Sequence, residues 1–117
     1  MTLLSCGLEL WSDKSLEEVG EIVSNRLLGG VRFIGKEEYI RDEVPAIYSE
    51  RDILGMRVIL MGGPGQEGYY LEMETRREPG VVVTAEQIRK SLVDISPLVS
   101  KLLHGVNEIT VSFKGGM

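Results

Sequence analysis

The chain has 117 residues, 43% of them apolar and 26% charged, and a formal net charge of −5. That length suits a single domain spanning 1–117 with one core, and the composition is that of a globular protein rather than a disordered one. The negative balance argues against a nucleic-acid partner, which wants a clustered basic surface, and no apolar run approaches the length that crosses a bilayer.

Residues 3–11 alternate. Leu4, Cys6, Leu8 and Leu10 share one face, which predicts an opening strand. The start also lacks the positive flank of a signal peptide, and Glu9 comes too early for one, so a cytoplasmic location is expected. Ser15-Leu-Glu-Glu18 has the form of a capping box, in which the serine hydroxyl and the glutamate carboxylate satisfy each other's backbone amides. Leu16, Val19, Val23 and Leu27 then recur at helical spacing, and Gly29-Gly30 stops the helix. At 100° per residue, Glu17, Glu18 and Glu21 fall on the arc opposite that apolar stripe.

Val31–Ile34 is a short β-prone run. Residues 36–52 read as an acidic loop or edge segment, extended over Ala46–Ser49, because Pro45 has no amide to donate to a central strand. Met56–Met61 and Tyr69–Arg76 are predicted strands of an antiparallel hairpin, joined through glycine-rich residues 62–68. Thr84-Ala-Glu-Gln87 is a second capping box. Ile88, Leu92, Ile95, Val99 and Leu102 continue it at helical spacing to His104-Gly105, with Pro97 predicting a kink or two short helices. Ile109, Val111 and Phe113 alternate as a last strand. The expected fold is α+β: a mainly antiparallel sheet with two main helices packed on one face.

Catalytic raw material is scarce. The chain has one histidine, His104, and one cysteine, Cys6, so it offers neither an internal disulfide nor a zinc-ligand spacing. Cys6 on the apolar strand face reads as core packing, and His104 beside Gly105 reads as a helix-end cap. Gly63-Pro-Gly65-Gln-Glu-Gly68 matches a dinucleotide fingerprint in letters. However, that chemistry needs a helix after the glycines, and here an alternating strand follows. Glu72 and Glu74 share a strand face with Tyr70, which suits either the solvated side of a sheet or contact with a basic partner. No cofactor and no metal are expected.

The informative feature is where the charge lies. Residues 1–52 hold 11 acids against 6 Lys/Arg, whereas residues 53–117 hold 7 of each. Two elements carry the excess: the first helix, with Glu17, Glu18 and Glu21, and the segment 36–52, where Glu37, Glu38, Asp42 and Glu43 are interleaved with Tyr39 and Tyr48. Carboxylates pair with Lys or Arg, and tyrosine supplies buried area with a hydroxyl. Together they suit a protein-contact surface.

The order of features adds a resemblance. An opening strand, Ser12-Asp13-Lys-Ser15-Leu-Glu-Glu-Val19, Val31-Arg-Phe33, Val44-Pro-Ala-Ile-Tyr48, Leu54-Gly-Met-Arg-Val-Ile-Leu60 and Tyr69-Tyr-Leu-Glu-Met73 together resemble the small cytosolic immunity proteins of bacterial polymorphic toxin and contact-dependent growth inhibition systems. The resemblance covers roughly residues 3–76 and assigns no functional residue. It implies a non-enzymatic protein that binds and neutralises one cognate toxin domain, often a nuclease with a basic cleft, over its active site or beside it. The residues expected to make that contact are Glu17, Glu18, Glu21, Glu37, Glu38, Tyr39, Asp42, Glu43 and Tyr48. Two other readings stand beside it. One is an acidic secretion chaperone holding a client segment in an apolar groove; the other is a small enzyme using Glu72, Glu74 and His104, which requires the three to converge. The oligomeric state is left open.

Overall fold

A computed structural model of the chain describes residues 3–35, 45–62, 68–76, 84–106 and 109–112. The elements run β1 (Leu3–Trp11), α1 (Leu16–Leu27), β2 (Phe33–Ile34), β3 (Ala46–Ser49), β4 (Met56–Gly62), β5 (Gly68–Thr75), α2 (Ala85–Ser91), β6 (Leu92–Asp94), α3 (Ser96–Leu103) and β7 (Thr110–Ser112). The strands form one sheet in the order β2-β3-β4-β5-β1-β6, with β7 also paired to β1. Every pairing is antiparallel except that of β1 with β6. The architecture is therefore α+β with a mainly antiparallel sheet.

The alternation read in β1 positions the core. Its register sets Leu8 opposite Leu71, Leu71 opposite Leu60, and Leu60 opposite Ile47, so one buried apolar row crosses four strands. Cys6, Met73 and Val58 form the next row. Leu16, Val19 and Val23 of α1 and Val99 and Leu103 of α3 complete the same cluster, which puts both helices on one face. Both reciprocal bonds of the Ser15–Glu18 capping box are present, at 3.2 Å each, and the Ser15 N–H, aided by the Ser15 hydroxyl, holds the Glu18 carboxyl below its ordinary range. At the other end of α1, Gly29 and Gly30 adopt φ of +64° and +90°, a conformation glycine takes without a Cβ penalty, and Gly30 N–H returns to the Ser24 carbonyl at 2.9 Å.

The second helical stretch forms two short helices, one of the two outcomes expected from Pro97, but with an unexpected strand between them. The stripe from Ile88 to Leu102 divides into α2, the short strand β6 and α3. Pro97 lies in the first turn of α3, where its missing N–H costs nothing, and Leu92–Asp94 ahead of that helix form β6. Leu92, Val93 and Asp94 pair in parallel with Leu3, Leu4 and Ser5, satisfying backbone that a longer helix would leave bare on β1. The outer side of β1 is then completed piecewise. Ile95 N–H donates to the Ser5 carbonyl at 2.7 Å, the Ser96 hydroxyl accepts from Gly7 N–H at 2.9 Å, and β7 pairs with Glu9 to Trp11. Ser96 is itself 2% exposed, and its N–H is taken by the Asp94 carboxylate at 2.9 Å.

Cys6 is buried in the core, and desolvation is the main cause that pushes its thiol from 9.0 up to about 11. The unfolded thiol ionises at its ordinary value while the folded one stays protonated. The stabilising contribution is therefore whole below pH 9 and is lost as pH rises toward about 11. Alkylation of Cys6 by iodoacetamide in the native protein is expected to be at least ~100-fold slower than in urea, because it waits on opening of the sheet. Labelling at equal rates in both states would place Cys6 outside the core.

Candidate functional site

α1 presents its acids because its sequence leaves them no other side. Leu16, Val19 and Val23 are buried against the sheet, and Glu17, Glu18 and Glu21 are exposed on the opposite arc. Helix and sheet approach closely at Gly20, where a Cβ would meet Ile47 Cδ1 at 2.7 Å and Phe33 Cδ2 at 3.3 Å. This contact seats α1 over β2 and β3 and leaves a groove of about 490 Å³ along its flank. Glu17, Glu21 and Asn25 line the helical side, while Phe33, Ile34 and Ile47 line the sheet side. Arg32 also borders the groove, and its guanidinium turns to Glu50 at 3.8 Å. Behind the acids, the Tyr69 hydroxyl donates to the Lys14 carbonyl, tying β5 to the start of α1. Burial, with the fields of Glu17 and Glu18, raises that phenol above its ordinary value.

The remaining expected contact residues divide. Glu37, Glu38, Tyr39, Asp42 and Glu43 lie outside the described residues. Tyr48 is half-buried on β3, and strand alternation turns it to the opposite face of the sheet from Ile47 and α1. There it packs against Ala46, Ile59 and Met61, and its ring occupies the space a Cβ at Gly35 would need. Tyr48 and the α1 acids are therefore separated by the sheet.

A second acidic surface lies on that opposite face. Glu72 and Glu74 share it with Tyr70, as their spacing predicts, and the register adds Glu9 opposite Tyr70 and Asp94 opposite Ser5. These residues border an open groove of about 580 Å³. Tyr70 lies across β1 there, and a Cβ at Gly7 would collide with its hydroxyl. Arg57 stands directly opposite Glu74, an opposite-charge cross-strand pair. Glu9 was legible as the polar half of the β1 alternation. Asp94 was not, because it falls inside an apparently helical stripe. His104 is exposed at the end of α3, and it is not among the residues that border the groove with Glu72 and Glu74. The convergence required by the enzymatic reading is not formed among the described residues.

The glycine-rich sequence 62–68 leads into β5 rather than into a helix, which removes the geometry a dinucleotide phosphate would need. Among the described residues, no three or more His, Cys, Asp or Glu side chains are grouped to hold a metal, and no helix is long and apolar enough to cross a membrane. No protein-family model, no curated protein and no solved structure matches the chain.

Proposed function

We propose that the chain is a cytoplasmic immunity protein of a bacterial polymorphic toxin system, binding and neutralising a cationic toxin domain of the nuclease type through an acidic surface. The observation that carries this reading is α1: three exposed carboxylates on a helix whose other side is fixed in the core, standing over a groove with an apolar wall. Such a surface needs little reorganisation to meet Lys and Arg side chains built for phosphates. Opposite charge speeds the encounter, and apolar contact slows release. Glu37, Glu38, Tyr39, Asp42 and Glu43 extend the same chemistry in sequence.

The test is protection. The genes flanking this one are searched for a large secreted protein with a variable C-terminal domain, and that domain is expressed in a bacterial host with and without the chain. Growth rescued by this chain, and not by an unrelated acidic protein of similar size, supports the reading. Killing that proceeds unchanged sinks it.

A second reading, an acidic secretion chaperone, is favoured by one observation. Leu92 and Val93 of β6 and Leu98 and Leu102 of α3 are 46–57% exposed, and α2, which precedes them in the chain, has no buried residue. A stable dimer in sedimentation that sequesters these side chains, or specific capture of a secreted client segment, favours the chaperone.

A further inference from the structure

The geometry points to the groove between α1 and β2 as the seat of an extended, basic segment of the partner protein, added as a strand along the outer edge of β2. This rests on the proposed toxin-binding function and names the part of the partner that is gripped. Three observations carry it. First, β2 ends the sheet order, so its outer side pairs with no described strand. Second, the ladder fixes which backbone groups point outward. The Arg32 carbonyl accepts from Glu50 N–H at 2.8 Å, so in an antiparallel pair the N–H and C=O of the next residue, Phe33, turn to the outer side. Third, the flank is chemically two-sided. Glu17 and Glu21 line the α1 wall, while Ile34 is 39% exposed on the strand. Arg32, the cation among the described lining residues, is directed to Glu50 rather than to the α1 acids.

A strand laid along β2 alternates its side chains. Those on the α1 side meet Glu17 and Glu21, and those on the other side lie beside Ile34. The matching segment therefore alternates Lys or Arg with aliphatic residues. Its main chain supplies hydrogen bonds to Phe33 and its charges supply selectivity, the division of labour of strand addition. An acidic or uncharged segment of the same shape would leave the two carboxylates unpaired.

The experiment uses the full chain, isotopically labelled, with a Lys-Val-Lys-Val-Lys-Val peptide amide as the probe. Amide shifts are expected at residues 17–25 and 31–35. Affinity is expected to fall roughly ten-fold or more in the Glu17→Lys/Glu21→Lys variant, and similarly for a peptide N-methylated at alternate amides, which keeps its charge and loses its backbone donors. Both lysines replace exposed residues, so the fold is expected to persist, and the variant's own spectrum checks it. Shifts confined to the face of Glu9, Glu72 and Glu74 overturn the groove while leaving a cationic partner in place. Equal affinity for the N-methylated peptide overturns strand addition, and absence of any binding overturns the groove as a basic-segment site. The toxin-binding reading itself stands or falls on the protection experiment.

Discussion

Leu71→Ala is expected to lose about 3–5 kcal/mol of folding stability, which is a large share of the roughly 5–15 kcal/mol that a domain of this size holds. The reason is position. Leu71 lies on β5 between β4 and β1, fully buried, with Leu60 on one side and Leu8 on the other in the row that also reaches Ile47. Its removal opens a cavity bounded by three strands and by the helices above them, and backbone held by two ladders cannot collapse to fill it. Urea denaturation followed by circular dichroism measures the loss. Leu102→Ala is the control: Leu102 is 54% exposed on α3, and its truncation is expected to change stability by no more than about 0.5 kcal/mol. Equal losses at the two positions would contradict the placement of the core.

The second large effect falls on binding. Reversing Glu17 and Glu21 to lysine is expected to weaken the proposed toxin complex by about 100-fold or more, much of it in the association rate, and to flatten its dependence on salt. Two exposed carboxylates that attract Lys and Arg become two cations that repel them, so the change removes attraction and adds repulsion together. Stability is expected to fall by no more than about 1 kcal/mol, chiefly because a cation replaces Glu17 in the first turn of the helix. Glu18 is left unchanged in this variant, because its carboxylate closes the capping box with Ser15. Stopped-flow association at several ionic strengths separates rate from affinity. An unchanged rate with an unchanged salt slope would remove α1 from the interface.

Much of the framework was legible because short-range physics dictates it. The β1 alternation, the Ser15–Glu18 box, the Gly29-Gly30 stop and the β4–β5 hairpin each depend on residues near one another in sequence, and each stands where its pattern puts it. The Ile88–Leu102 stripe was misleading for the opposite reason. Helical spacing describes what a segment prefers alone, whereas the bare outer edge of β1, some ninety residues earlier, offered Leu92–Asp94 ladder bonds instead. Ser96 shows the same limit. Nothing local distinguishes it from a solvated serine, yet its hydroxyl bridges the gap in the β1 edge at Gly7. The candidate site divides along the same line. The exposed arc of Glu17, Glu18 and Glu21 follows from helical geometry, while the separation of Tyr48 from those acids depends on strand register and on which face α1 covers. Asp94 joins Glu9, Glu72 and Glu74 only through the β1–β6 pairing.

The proposed role requires an acidic surface on this chain to capture a cationic toxin domain. The most direct test is the equilibrium affinity of the purified chain for the toxin domain that the protection experiment identifies, measured by calorimetry at low and at high ionic strength with toxin activity followed in parallel. A one-to-one complex is expected that silences the toxin and weakens steeply as salt rises. No complex at low salt, or one whose affinity is indifferent to salt, would contradict it.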